Sequence, residues 1–203
     1  GLLARVPAFS RMGQDQLAWL ATKARPFHAS VGQSLLLPDR HPEYCYCIIE
    51  GRGRVLHRDP GLQRPVTLAY AQPGDLVGWA GLVRRSPCEW VTAITPLKLI
   101  AIDAEAFYRL EHESEAFRQW LDANNSPAEL MAVLAPALRR RPQAEPPERE
   151  VLRRLLPGLS LLPCRTDRQL PPGDDAIWLW NAQPAQASLP IGEQVDPNLL
   201  REL

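Results

Sequence analysis

The sequence predicts a mainly β fold, a roll of short strands with flanking helices, and three observations predict it. Seven short β-rich runs follow one another, at about Pro26–Ala29, Gln33–Leu37, Tyr44–Glu50, Gly53–His57, Pro65–Ala71, Trp90–Thr95 and Leu97–Ile102, with the spacing of an all-β roll. Turn residues punctuate them at Pro38-Asp39, His41-Pro42, Glu50-Gly51, Asp59-Pro60-Gly61 and Gln72-Pro73-Gly74, where proline presets one dihedral and glycine accepts positive φ. Helical periodicity brackets the series: Leu17, Leu20, Ala21 and Ala24 on one side, and Phe117, Trp120 and Leu121 on the other.

The elements follow in order. Leu2 to Phe9 is a short apolar leading segment, closed by Pro7 and Phe9. Gly13–Ala24 reads as a helix leaning on one end of the roll, with Trp19 off its apolar stripe as a packing residue. Beyond the strands, Asp103 is an expected N-cap for a helix carrying Phe107, Leu110 and Glu111. A second amphipathic helix runs from Ser114 to Leu121. Ser126-Pro127-Ala128-Glu129 is a capping-box pattern with proline at the first helical position, opening a helix with Leu130, Val133, Leu134 and Leu138. Asn124-Asn125-Ser126-Pro127 interrupts any continuous helical stem.

The later part of the chain has a different texture. Ten of the 21 prolines fall in residues 1–135 and eleven in the much shorter stretch 136–203. That shift marks a link at Arg141–Pro147, followed by a short helix at Glu148–Leu156. Ile177 to Asn181 and Leu189 to Gly192 read as two short strands around a polar loop. Asp196-Pro197 starts a helix that the end of the sequence cuts short. The expected organisation is a β-roll with its first and last helices (1–122), a helical connector (123–156) and a small α/β extension (157–203). A faint echo of Leu37-Pro38-Asp39 in Leu170-Pro171-Pro172-Gly173 admits an abbreviated second copy. With Gly1 rather than Met at the start, the sequence is read as a piece of a longer protein.

Bulk properties narrow the function. Formal net charge is zero and the pI near 7.1, so no broad positive field invites nucleic acid. No apolar run reaches the roughly 18 residues that span a bilayer. Four irregularly spaced cysteines read as reduced thiols of a cytoplasmic protein. Cys45 and Cys47 share one face of a strand; with Cys88 and Cys164 distant in sequence they read as buried thiols packed as small hydrophobes, not metal ligands. His28, His41, His57 and His112 are scattered and read as surface or turn residues. Arg139-Arg140-Arg141 suits the end of a helix, and Asp174-Asp175 a solvated turn. No phosphate loop, nucleophile elbow or paired-histidine zinc motif is present, so no catalytic residue, metal or cofactor is expected.

The stretch from Gln72 to Thr95 carries the chemistry. Pro73-Gly74-Asp75 turns the chain, Leu76-Val77 is apolar, and Gly78 permits close backbone approach. Trp79–Val83 is long enough for one short helix, Ser86-Pro87 breaks it, and a strand returns from Trp90. The result is a small cradle in which the first N–H groups of the short helix attract an anion.

This arrangement resembles the phosphate-binding cassette of the cyclic-nucleotide-binding domain, as in catabolite activator proteins and kinase regulatory subunits. The resemblance covers roughly residues 1–122, through Gly32, Ile48-Ile49-Glu50-Gly51, Arg54-Val55, Pro73-Gly74-Asp75, Gly78 and Val91-Thr92-Ala93. It implies a double-stranded β-helix, or jelly-roll, of that type, and a degenerate cassette at Gly78, Trp79, Ala80, Gly81, Leu82, Arg84, Arg85, Pro87 and Cys88. Asp39 stands where the family usually has a glycine. Trp79 stands where nucleotide binders have the glutamate that meets the ribose. The arginine for the cyclic phosphate falls at Pro87 or Cys88, depending on the direction of counting. Indole and proline do not replace charge-assisted hydrogen bonds worth about 1.5–3 kcal/mol each.

Gly78-Trp79-Ala80-Gly81-Leu82 with Ser86-Pro87-Cys88-Glu89-Trp90 also resembles N-terminal domains of bacterial peptidase-containing ABC exporters. That resemblance implies a non-catalytic regulatory domain on the cytoplasmic side of a transport protein, meeting other domains of the transporter or a protein partner. Trp79 and Trp90 would then offer apolar surface to that partner or fill the emptied pocket. Two alternatives stay open: a working cyclic-nucleotide receptor with Arg84 or Arg85 on the phosphate, and a transcription regulator of the catabolite activator type.

Overall fold

The computed structural model describes residues 1–57, 65–131 and two short strands at 177–178 and 194–195. The chain divides into two compact units, Gly1–Glu129 and Leu130–Leu203. The first begins with a 3-10 turn at Leu3–Arg5 and helix α1 (Gln14–Lys23). Strands β1 (Arg25–Ala29), β2 (Ser34–Leu36), β3 (Tyr44–Glu50), β4 (Gly53–His57), β5 (Val66–Ala71) and β6 (Leu76–Val77) lead to helix α2 (Trp79–Arg84). Strands β7 (Trp90–Ala93) and β8 (Leu97–Asp103) return, and α3 (Ala104–Glu113) and α4 (Glu115–Ala123) close the unit.

Two four-stranded antiparallel sheets result, ordered β1-β8-β3-β6 and β2-β7-β4-β5. They form the expected mainly β roll, without closing into a barrel. Strand β3 shows why its sequence is apolar almost throughout: both of its faces are covered. Cys45 and Cys47 belong to the core cluster that holds the helices, while Tyr46 and Ile48 alternate to the other face and are also buried. The hairpin from β3 to β4 depends on Gly51, whose φ is +91° and whose Cβ would lie 2.2 Å from the Pro96 carbonyl oxygen.

The strands expected at Tyr44–Glu50 and Gly53–His57 form with those bounds. The one expected to reach Thr95 stops at Ala93. Ile94 and Thr95 both donate their N–H groups to the Arg52 carbonyl, a turn that takes them out of the ladder. Val77 and Leu76 pair with Tyr46 and Cys47, so the residues ahead of Gly78 are the edge of a sheet.

Phe117 sits at the centre of the helical layer, fully buried. Phe9 and Phe107 lie 5.8 and 5.4 Å from it by ring centroids, and Trp120 stacks at 6.3 Å. The caps mostly follow the sequence. Asp103 Oδ1 accepts from the Ala106 N–H at 2.8 Å, and Ser114 Oγ accepts from the Phe117 N–H. The stem is interrupted as expected: residues 124–126 are non-helical and a helix resumes at 127. The capping box needs correction. The Glu129 carboxylate accepts from the Ser126 N–H, but the Ser126 hydroxyl donates to Glu89.

In the second unit, Ile177–Trp178 pairs antiparallel with Gln194–Val195. The expectations for Arg139–Arg141, the proline-rich link, the 148–156 helix, Cys164, Asp174-Asp175 and the 189–192 strand lie outside the described residues. Among the described residues no helix is long and apolar enough to cross a membrane, and no cluster of side chains could hold a metal ion.

Candidate functional site

Helix α2 is positioned by glycines at both turns of its path. Gly78, with φ +88°, lets the chain leave β6 against β3: a Cβ there would lie 2.9 Å from the Tyr44 carbonyl oxygen. Gly81 faces the Pro42 ring, 2.9 Å from where its Cβ would stand. The helix ends on Arg85, the one non-glycine residue with positive φ among those described, and the Ser86 N–H closes onto the Gly81 carbonyl. Six residues are thereby bent into a tight cup facing the strand that returns.

Into that cup projects Glu89. Its carboxylate accepts from the Gly78 N–H, from the Gly81 N–H at 3.4 Å and from the Ser126 hydroxyl at 3.2 Å. The side chain is buried. Burial pushes its pKa to about 7, against the pull of those three hydrogen bonds toward the charged form. The crevice is lined by Leu36, Arg40, Pro42, Gly78, Gly81, Cys88 and Glu89, and it leaves no room for a water molecule. A separate groove of about 630 Å³ lies between the leading turn, α1 and β1, lined mainly by Leu2, Leu3, Leu17, Ala21, Pro26 and Ile100. It holds none of the cassette residues.

The cassette residues sort into three groups. Gly78, Gly81 and Cys88 meet at the crevice with Glu89. Trp79, Ala80 and Leu82 turn into the helical core, and Pro87 is half-buried beside them in the loop. The two arginines reach elsewhere. Arg84 pairs with Glu129 at 3.5 Å, with its side chain only 5% exposed; burial lowers its pKa and the Glu129 carboxylate raises it. Arg85 lies over the Tyr108 ring, 5.2 Å from its centroid, and Tyr108 in turn donates to the Leu82 carbonyl.

The family model for the cyclic nucleotide-binding domain matches residues 27–114, the segment that contains the cassette and all but the first two residues of the two four-stranded sheets. These residues form a cyclic nucleotide-binding domain. Solved structures agree on the fold. The regulatory domain of protein kinase A from Toxoplasma gondii, crystallised with cAMP, aligns with a TM-score of 0.55 at 19% identity, over 60% of this chain and 46% of that one. The catabolite activator protein of Thermus thermophilus aligns at 0.50 and 19%, over 66% and 58%. The N-terminal domain of a transcriptional regulator from Streptomyces coelicolor aligns at 0.51 and 21%, over 71% of this chain and all of that one. This chain thus spans roughly half the length of the first two. No curated protein matches the sequence.

Within the cyclic nucleotide-binding domain, two expectations need correction. Trp79, expected as apolar surface for a partner or as a filler of the emptied pocket, is 7% exposed and packs edge-on against Trp120 at 5.5 Å, in the core. Trp90 is half-buried, with its Nε1 enclosed and without a hydrogen-bond partner. His57 is part-buried in β4, not a surface residue. The thiols meet expectation: Cys45 and Cys47 are buried, and burial pushes the Cys47 pKa up to about 12. Glu89 is the residue that sequence reasoning missed. The signal was present: a cradle expected to attract an anion, with an acid eleven residues after its glycine.

Proposed function

We propose that this chain is a non-catalytic regulatory domain of a larger transport protein of the ABC exporter type, with its phosphate cassette closed by its own Glu89. One observation carries the closed cassette: the Glu89 carboxylate sits on the Gly78 and Gly81 amides in a crevice too tight for water; the exporter setting rests on the sequence resemblance at 78–82 and 86–90. An incoming cyclic phosphate would have to displace a buried anion and open that crevice. The replacements at Trp79, Pro87 and Cys88 support the same reading, because none of them offers a phosphate or a ribose a charged partner.

In this reading 1–122 is the sensing module, 123–156 a connector and 157–203 a small extension. Its partners are other domains of the transporter or a docked protein on the cytoplasmic face of the membrane. The cassette positions from Gly78 to Cys88 serve as structure rather than as a nucleotide site. Calorimetric titration of the full chain with cyclic AMP and cyclic GMP tests this: no heat of binding is expected, and micromolar binding of either overturns it. Membrane and ATPase segments encoded beyond Leu203 are expected for the exporter setting; a reading frame without them removes it.

The receptor alternative is disfavoured by the engagement of Arg84 with Glu129 and of Arg85 with Tyr108. It requires that Arg84→Ala with Arg85→Ala abolish thermal stabilisation by nucleotide. The regulator alternative requires salt-sensitive DNA binding in a gel shift.

A further inference from the structure

Glu89 touches two elements at once. Its carboxylate holds the first turn of α2 through Gly78 and Gly81, and it holds Ser126 at the start of the following helix. The two are also joined by Arg84 and Glu129. All three hydrogen-bond partners of Glu89 are neutral groups.

We propose that Glu89 is a proton-operated latch, which as a carboxylate ties the α2 cup to the helix that follows Ser126 through a charge-assisted hydrogen bond and on protonation weakens that tie to a neutral one. An ionised carboxylate only accepts, so its two oxygens suit three donors. When one oxygen takes a proton from solvent, the acid keeps acceptor capacity for the two amides, and its new O–H donates to the Ser126 hydroxyl, which turns to accept it; that bond is then neutral and weaker than the charge-assisted one. The amides of Gly78 and Gly81 are fixed by the backbone and cannot turn. The Ser126 hydroxyl rotates freely, so the change falls on the link between the two elements.

The surroundings place this exchange near neutrality. Burial without a cation partner is the largest influence on Glu89, and it titrates at about 7. The ionisable groups that face it are Cys88 and Arg84 from α2 and its loop, Glu129 from the following helix, Cys45 from β3, and Arg40 at the rim. Arg84 is held by Glu129. Glu129 adds to the rise at Glu89, and burial raises Glu129 itself. The thiols of Cys45 and Cys88 are pushed up by burial and stay neutral. Glu89 is therefore the group that changes charge in this cluster without a cation beside it.

The inference rests on the closed-cassette reading, and the two fail separately. Nucleotide binding in calorimetry removes the closed cassette; a silent titration removes only the latch. The experiment is an amide NMR titration of the labelled full chain between about pH 5.5 and 8.5. The amides of Gly78, Gly81 and Ser126 are expected to move together with one midpoint near 7, and Glu89→Gln should hold Gly78 and Gly81 flat. Glu129→Gln should leave the titration of Gly78 and Gly81 in place, which separates the two carboxyls. Should Glu89→Gln fail to fold, Ser126→Ala decides: losing a hydrogen bond to the charged form should raise the midpoint by about half a unit. Flat Gly78 and Gly81 amides in the wild type overturn the latch. So does a titration that survives Glu89→Gln, or one that leaves Ser126 unmoved.

Discussion

Helices α2 and α3 both start under a carboxylate and both involve an arginine ion pair, yet the groups come from different places. Helix α3 uses its own residues: Asp103 is its N-cap, and Arg109 pairs with Glu113 one turn on, both about half exposed. Helix α2 starts on Gly78, which has no side chain, and is capped by Glu89 from beyond its own end. Its arginine, Arg84, pairs with Glu129, 45 residues along the chain and largely buried. Helix α3 carries its cap and its ion pair within its own sequence; helix α2 acquires both only in the folded domain.

If that contrast is right, the largest loss should come from the buried pair. Arg84→Met leaves the Glu129 carboxylate enclosed without its cation, which should cost about 3–5 kcal/mol. The double variant Arg84→Met with Glu129→Leu should recover most of it, because no charge is then left buried. Urea denaturation midpoints at constant slope measure both. A single variant within about 0.5 kcal/mol of wild type would erase the distinction between the two helices.

The next effect is a pH dependence. Glu89 binds its proton more tightly in the folded state, at about 7, than at its ordinary 4.5. Its contribution to stability is therefore present in full below the ordinary carboxylate value and is lost as pH rises through about 7. At about 1.36 kcal/mol per pH unit, the loss is of the order of 3 kcal/mol. Denaturation at pH 5 and pH 8 should show wild type losing more stability on the alkaline side than Glu89→Gln does, by that order. Equal pH profiles for the two would break the assignment.

What could be read from the sequence divides along the same line. Asp103 ahead of a periodic apolar run, or the β-rich run Gly53–His57 behind the Glu50-Gly51 turn, uses only neighbours in sequence. Gly78 was legible too, since its positive φ is a property of its own backbone, whatever strand it then packs against. The direction in which Trp79 points was not. It depends on Trp120 arriving from α4, and an indole in a cassette looks the same whether it faces solvent or core. Nor was the diversion of the Ser126 hydroxyl from its capping box, because the competing acceptor lies 37 residues earlier. A degenerate binding site is hard to read from sequence for this reason: losing a ligand residue is local, but whatever replaces the ligand comes from elsewhere in the fold.

A smaller effect is expected at the start of α3. Asp103→Ala removes the acceptor for the Ala106 N–H and should cost about 1 kcal/mol. That corresponds to a drop of about 4 °C in Tm for a unit of this size, readable by calorimetry. What is left without its partner is a neutral amide rather than a buried charge, which keeps the loss below that expected from Arg84→Met.

The smallest effect should come from Glu113→Ala. The Arg109–Glu113 pair is close, with N to O at 3.0 Å, and half exposed on both sides, where such pairs contribute about 0.3–0.5 kcal/mol. Its order is the weaker one, with the cation ahead of the acid, and Glu113 is the last residue of α3, where a negative charge opposes the helix dipole. Arg109 also keeps its place over the Trp19 ring, 4.4 Å from the centroid, whether or not Glu113 is charged. Alanine is moreover the better helix former. These contributions oppose one another, so the net change should stay within about 0.5 kcal/mol and shrink further in added salt. A loss comparable to that of Arg84→Met would mean that proximity alone, not burial, sets what an ion pair is worth in this domain.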